Sequence, residues 1–212
     1  MSSSRAADSF VHRIVLASGN SGKLHELKTL LSTSGIDVIP QEAREVPEVE
    51  ETGLCFVENA IIKARNAARH AGLPALGDDS GLEVDALDGA PGIYSSRYAG
   101  PHADDAANIE KLLNDLAGVP GERRSARFQC VIVYMRHALD PVPIVCQGTW
   151  EGRILEEPRG RNGFGYDPVF FVPTHGCSSA ELPPALKNGL SHRGQALGRL
   201  LRALQSASTE AR

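Results

Sequence analysis

The sequence contains few cysteines and few aromatic residues, and it has no long apolar run. Four cysteines are spread over 212 residues without a Cys-x-x-Cys pair, which predicts buried, reduced thiols and a cytoplasmic protein rather than a disulfide framework. The seven histidines include no His-Glu-x-x-His motif, so a zinc site is not expected. No apolar stretch approaches the roughly 20 residues that span a bilayer.

The charge balance argues against further classes of partner. Lys and Arg number 22 against 26 Asp and Glu, which gives a net charge of −4 with histidine neutral. General nucleic-acid binders carry a large basic surplus, so nucleic acid is not an expected partner. The missing apolar run means that a membrane is not expected either. Residues 1–11 are mostly small and polar, and they are predicted to form a disordered extension rather than a signal peptide.

The apolar pattern predicts an α/β fold with a mixed sheet. Strands are predicted over 12–18, 36–40, 82–87, 126–135 and 142–150. Leucines at helical spacing between Leu24 and Leu31 predict a helix between the first two strands, which is a typical α/β opening. The later strands read as an antiparallel hairpin, and a last helix begins near Ser191. We expect a single domain over 12–207.

The segment from Ser18 to Lys23, Ser-Gly-Asn-Ser-Gly-Lys, joins the first strand to the first helix. Its glycines allow the backbone to approach an anion closely, the free amides at the helix start point outward, and Lys23 adds positive charge. A phosphate-binding loop is therefore predicted, with an ordinary strand–helix turn as the alternative. It is not a Walker A loop, because Leu24 replaces the required Ser or Thr.

Acidic residues form the second group of candidates. Asp78 and Asp79 are adjacent, and two neighbouring carboxylates are unfavourable unless something offsets their repulsion, as a divalent cation would. One of them could also act as a general base. Glu50 and Glu51 precede a predicted helix on which Lys63 lies, and they could join the acidic site. The alternatives are a simple turn and a solvated helix face.

Aromatic and basic residues form the third group. Phe164 stands between two glycines in the segment 163–167, where it would be displayed and could stack on a base; a core aromatic turn is the alternative. Lys187, His192 and Arg193 place positive charge around the start of the last helix, which is unfavourable to the helix dipole and therefore hints at function. Phosphate binders, metal carboxylates and a base-stacking ring together suit a nucleoside triphosphate.

These residues resemble the motifs of the Ham1/inosine triphosphate pyrophosphatase family. The matching segments occur in order at 18–23, 56–60 with Lys63, 77–82, 89–98, 164–168 and 191–193, and the resemblance runs from about Ile14 to Leu204. Within the family, the chain is especially similar to bacterial enzymes that act on dITP and XTP. Ser18 stands where relatives often have threonine, which keeps the hydroxyl.

The resemblance implies an elongated mixed sheet flanked by helices, with two lobes and a central cleft, and a homodimer. It implies magnesium-dependent hydrolysis of dITP, ITP and XTP to the monophosphate and pyrophosphate, which cleanses the nucleotide pool. Asp79 would be the proton acceptor and a metal ligand, and Glu51 with Glu50 would help to bind magnesium. The expected substrate-binding residues are Ser18, Gly19, Asn20, Ser21, Gly22, Lys23, Lys63, Ser80, Phe164, Gly165, Tyr166, Asp167, Lys187, His192 and Arg193.

Charge on the leaving pyrophosphate must be neutralised, and Lys23, Lys63 and Lys187 could do this together with magnesium. Two other functions stay open at this point. One is a Maf-like pyrophosphatase for other modified nucleotides, and the other is a nucleotide sensor without catalysis. The adjacent Asp78 and Asp79 argue against a sensor, because binding alone does not need a carboxylate that activates water.

Overall fold

The computed structural model describes residues 12–32 and 34–210. The strands are β1 (His12–Ala17), β2 (Ile36–Pro40), β3 (Ala75–Val84), β4 (Ser125–Met135), β5 (Ile144–Ile154), β6 (Phe170–Val172) and β7 (Cys177–Ser178). The helices are α1 (Ser21–Leu31), α2 (Phe56–Ala71), α3 (Asp105–Asp115), α4 (Pro184–Leu190) and α5 (His192–Glu210). The segment 1–11, predicted to be disordered, lies outside the described residues.

The strands form one seven-stranded mixed sheet in the order β2-β1-β3-β4-β5-β6-β7. β1 pairs in parallel with β2 and β3, because α1 and α2 provide the crossover connections that parallel neighbours need. The remaining neighbours are antiparallel, and β4 and β5 form the predicted hairpin. The prediction of an α/β fold with a mixed sheet is therefore confirmed.

β3 differs from the strand predicted over 82–87. It begins at Ala75 and ends at Val84, and a short 3₁₀ turn follows over 85–87. The first five residues of β3 are all buried, so the alternation that marks a half-exposed strand is missing there. As a result, Asp78 and Asp79 lie within a central strand.

Two hydrophobic clusters pack at opposite ends of the long strands. One contains Leu82, Phe128 and Trp150 together with α3, and the other contains Leu76 and Ile132 together with α1 and α5. Asp78, Asp79 and Ser80 lie in the middle of β3, between these two clusters, and two further clusters that include alanines of α2 also pack on the sheet. Within the described part of the chain, no helix combines the length and apolarity needed to cross a bilayer. The assignment of 12–207 as one domain stays a prediction.

Candidate active site

The loop between β1 and α1 is organised by its own side chains. Asn20 Oδ1 accepts a hydrogen bond from the Lys23 amide at 2.9 Å and thereby caps α1, while Ser18 Oγ accepts one from the Asn20 amide at 3.2 Å. Gly22 lies so close to the Phe164 ring that a Cβ atom at position 22 would be 2.7 Å from the ring Cδ1 atom. The loop presents the positive end of the α1 dipole, which favours an anion such as phosphate.

Asp78 is a buried ion-pair partner on the face of β3 that points towards α5. It is 1% exposed, and its carboxylate is 2.9 Å from Lys23 Nζ and 2.9 Å from Arg193 Nε. Burial acts to raise the pKa of Asp78, but the Arg193 and Lys23 cations hold it well below its usual range. The sequence predicts that a divalent cation offsets the repulsion between Asp78 and Asp79. For Asp78, the Lys23 and Arg193 cations already do this.

Asp79 points to the opposite face of β3, because successive side chains of a strand alternate. Its Oδ1 atom accepts a hydrogen bond from Lys63 Nζ at 2.7 Å, and the same nitrogen is 3.2 Å from Glu51 Oε1. Asp79 Oδ2 is buried and has no hydrogen-bond partner in the structure. Burial raises the pKa of Asp79 despite the opposing effect of Lys63 and Lys23, which suits a group that accepts a proton.

The surroundings of Asp79 fit a magnesium ion. Among the described residues, no group of three or more His, Cys, Asp or Glu side chains is placed to hold a metal. Magnesium, however, needs only one or two carboxylates when waters and substrate phosphates complete its shell. Asp79, with its unpartnered Oδ2, and Glu51, which shares Lys63 with it, provide two such groups. Glu50 is exposed.

Arg193 is at the centre of a buried network of charges. It is 2% exposed and donates hydrogen bonds to Asp78, to Glu26 on α1 and to Ser80 Oγ. Lys187 on α4 extends the network, because its Nζ atom donates to Glu26 at 2.8 Å and to Asp167 at 2.5 Å. α1, β3, α4 and α5 are thus joined by ion pairs at one point.

Phe164 is displayed at the edge of this network. The glycines on either side of it have positive φ angles, +78° at Gly163 and +58° at Gly165, which only glycine adopts freely. The Phe164 amide donates to Asp167 Oδ2 at 2.9 Å, and its ring centroid is 5.2 Å from Lys187 Nζ. The cleft is also lined by Leu82, Ser95, Asn108, Phe128 and Tyr166. The cleft thus offers flat apolar surfaces beside cations.

His192 forms part of the same cleft. Its ring stacks on Phe128 with centroids 4.8 Å apart and an interplanar angle of 15°, and its Nδ1 atom is buried without a hydrogen-bond partner. Burial, together with the nearby Arg193 cation, places the pKa of His192 well below its usual value of 6.5. The imidazole is therefore neutral at physiological pH.

Comparison with known proteins agrees with this geometry. The Ham1 family profile matches residues 14–203. This chain belongs to the Ham1 family. It is 60% identical over 197 residues to a dITP/XTP pyrophosphatase of Vibrio cholerae, covering 93% of this chain and 98% of that protein. It is 61% identical over 195 residues to a dITP/XTP pyrophosphatase of Methylococcus capsulatus, covering 91% and 97%. The solved structure of a HAM1 protein from Coxiella burnetii superposes with a TM-score of 0.85 at 56% identity, covering 92% and 98%.

In this Ham1 protein, most of the predicted site residues lie around one cleft. The predicted residues that line this cleft are Asn20, Lys23, Ser80, Phe164, Gly165, Tyr166, Asp167, Lys187, His192 and Arg193. An adjoining hollow on the α1 side is lined by Ser21 and Gly22. Asp79, Lys63 and Glu51 lie beside the cleft on the other face of β3. Lys23 connects the two groups, since it pairs with Asp78 and also lowers the pKa of Asp79.

Two residues that contact side chains or backbone of the cleft lining are not singled out by the sequence. Glu26 is buried and holds both Arg193 and Lys187, but on α1 it looks like one more charged residue of an amphipathic helix. Its position beside Leu27, on the buried side of α1, is the signal that could have identified it. Asp105, the first residue of α3, accepts a hydrogen bond from the Gly165 amide. No local pattern marks this contact, because it joins residues 60 positions apart.

The neutral, buried His192 predicts a pH-dependent loss of stability. Below about pH 6.5 an unfolded histidine binds a proton, whereas the folded ring, with its lowered pKa, does not. The stability that His192 contributes is therefore complete above that pH and falls by up to about 1.4 kcal/mol per pH unit below it. We expect a flatter pH dependence in His192→Phe, measured by urea unfolding between about pH 5 and pH 7.5. His102→Phe, at an exposed histidine, is the matched control, and equal slopes for His192→Phe and the wild type would contradict the prediction.

Proposed function

We propose that this protein hydrolyses dITP, ITP and XTP to the monophosphate and pyrophosphate, and so removes non-canonical purines from the nucleotide pool. The dITP/XTP pyrophosphatases to which it is about 60% identical over nearly their whole length support this activity. The observation that carries the proposal is the cleft itself. A helix N-terminus with Lys23 lies at one side, Phe164 lies beside it, and Asp78 and Arg193 join the two.

Each part of the cleft has a role in this reaction. The α1 N-terminus, Lys23 and Lys63 bind the triphosphate and stabilise the negative charge that develops on the leaving pyrophosphate. Asp79 accepts the proton of the water that attacks the α-phosphorus, and the bond to the bridging oxygen of the pyrophosphate then breaks. Magnesium, held by Asp79 and Glu51 when bound, supplies further positive charge for the phosphates.

Base selection follows from the polarity of the purine edge. Hypoxanthine and xanthine carry a 6-oxo group that accepts hydrogen bonds, while adenine carries an amino group at that position. The three guanidinium nitrogens of Arg193 already donate to Asp78, Glu26 and Ser80. Because a guanidinium has five N–H groups, the Arg193 N–H groups outside these three bonds are candidate donors for the oxo group, as are a neutral His192 ring and backbone amides. A site of donors rejects adenine, because its amino group leaves a buried donor unpaired.

A substrate panel tests the proposal and separates it from the alternatives. Purified protein is incubated with magnesium and dITP, XTP, dGTP, dATP or dUTP, and release of monophosphate and pyrophosphate is followed. We expect rapid turnover of dITP and XTP and slow turnover of the canonical nucleotides. Preference for another modified base would favour the Maf-like function, and binding without product would favour a sensor.

The magnesium ligands are tested by a pair of variants. Glu51→Gln removes a carboxylate that shares Lys63 with Asp79, whereas Glu50→Gln removes one that is exposed. We expect the magnesium concentration for half-maximal turnover to rise about 10–100-fold in Glu51→Gln, and much less in Glu50→Gln. Equal shifts in the two variants would mean that both glutamates contact the ion. No shift in either variant would mean that neither Glu50 nor Glu51 is a magnesium ligand.

Phe164→Ala tests the stacking role. Removing the ring removes a stacking surface worth roughly 1–3 kcal/mol, so KM for dITP is expected to rise about 5–100-fold while kcat changes little. Steady-state kinetics measure both quantities. An unchanged KM would count against stacking, and an equal fall in kcat would indicate that the ring also orients the triphosphate.

We also propose a homodimer in the cytoplasm. Several large apolar side chains are exposed in the monomer, among them Leu54 at 86% and Tyr94 at 55%, as expected of residues that a second subunit covers. The four cysteines are free thiols, which suits a reducing compartment. Light scattering coupled to gel filtration measures the mass in solution, and a mass of 22.6 kDa would exclude the dimer.

A further inference from the structure

The loop that carries Phe164 is held by hydrogen bonds to several parts of the chain. The Phe164 amide donates to Asp167, which Lys187 and Ser179 hold in place. The Gly165 amide donates to Asp105 Oδ2 at 2.6 Å. The Tyr166 hydroxyl donates to the Ser95 carbonyl at 2.8 Å. The backbone amides of Phe164 and Gly165 therefore each donate to a carboxylate.

Asp105 is suited to fix the loop because it stands on an anchored helix. Asn108, one turn further along α3, is buried, accepts a hydrogen bond from the Ala99 amide and donates to the Ser96 carbonyl. The α3 end that carries Asp105 is thereby tied to the segment 92–97, which packs on β3. Gly165, in contrast, has a positive φ of +58° and no side chain that could restrain the loop.

We propose that Asp105 is a positioning residue, which holds the Phe164 ring at the angle needed to stack on the purine. The inference deepens the proposed function, because it presumes that a purine nucleotide occupies the cleft. The hydrogen bond from the Gly165 amide to a carboxylate removes conformational freedom from a glycine-flanked aromatic residue. Without it, the nucleotide must order the loop on binding and loses affinity by the free energy of that ordering.

The neighbouring aspartate provides the matched control. Asp104 is the N-cap of α3 and accepts a hydrogen bond from the Ala107 amide at 2.8 Å. Asp104→Ala therefore weakens the start of α3 without removing the contact to Gly165. Asp105→Ala removes that contact and leaves the cap. Asp105→Asn keeps an oxygen that can accept from the Gly165 amide, so it serves as the conservative rescue.

Calorimetry with two probes measures the effect without relying on turnover. dIMP contains the base, and inorganic tripolyphosphate contains only the phosphate chain; both are titrated in the presence of magnesium. For Asp105→Ala we expect about tenfold weaker binding of dIMP and binding of tripolyphosphate within about twofold of the wild type. Asp105→Asn and Asp104→Ala are expected to bind dIMP within about threefold of the wild type.

A double-mutant cycle with Phe164→Ala shows whether Asp105 acts through the ring. If it does, Asp105→Ala adds little to the loss already caused by Phe164→Ala. The proposal is overturned if the two losses add, if Asp104→Ala weakens dIMP binding as much as Asp105→Ala, or if tripolyphosphate binding falls equally. Failure of the proposed function is a separate result, namely a wild-type protein that binds dIMP but does not hydrolyse dITP.

Discussion

Asp79→Asn is expected to lower kcat for dITP by about 10²–10⁴-fold while nucleotide binding largely survives. The asparagine keeps the shape of the side chain, and its amide oxygen can still accept from Lys63. What it loses is the oxygen at the position of Oδ2, which is buried and has no partner in the folded protein. An amide cannot accept the proton of the attacking water, so the chemical step is affected more than the binding step.

The measurements are kcat from pyrophosphate release and the dissociation constant of dITP. Glu83→Gln is a suitable control, because Glu83 is on the same face of β3 as Asp79 but lies outside the cleft lining. Its carboxylate accepts a hydrogen bond from Gln129. It is expected to keep the wild-type rate. Equal losses of binding and rate in Asp79→Asn would instead indicate that Asp79 acts mainly as a metal ligand or a structural residue.

Residues close in sequence are the part of the site that can be predicted from the chain alone. The loop between Ser18 and Lys23 is organised by hydrogen bonds among its own residues, and its strand–helix context is visible in the apolar pattern. The displayed position of Phe164 follows from the glycines on either side of it. The roles of Asp78 and Asp79, in contrast, depend on the alternation of β3, which turns adjacent carboxylates towards different cations.

Contacts between distant segments account for what could not be predicted. Glu26 pairs with Lys187 and Arg193 across more than 160 positions, and nothing in the local sequence of α1 specifies those partners. β3 was predicted only at its end, because a strand buried on both faces has no alternation to detect. The fold class depends on local patterns and was predictable, whereas the buried charge network depends on tertiary packing and was not.

Arg193→Met is expected to lower the free energy of unfolding by about 3–5 kcal/mol, or roughly 6–20 °C in Tm. Methionine fills the aliphatic part of the space but leaves Asp78 and Glu26 with one cation fewer, and Asp78 is 1% exposed. Asp78 keeps Lys23 and Glu26 keeps Lys187, but in a buried site water cannot replace the cation that is lost. Arg13→Met is the control, since Arg13 pairs with Asp37 on the surface and both side chains are about half exposed. The free energy of unfolding is expected to fall by less than about 1 kcal/mol in Arg13→Met.

A second change distinguishes lost charge from lost packing. In Arg193→Met combined with Asp78→Asn, the buried carboxylate that lost Arg193 is replaced by a neutral amide of the same shape. We expect the double variant to be more stable than the sum of the two single losses predicts, by about 1–3 kcal/mol. Urea unfolding of the wild type, both single variants and the double variant gives this coupling energy. Strict additivity would mean that Arg193 stabilises the protein by filling space, and the charge network would then not be what joins α1 and β3 to α5.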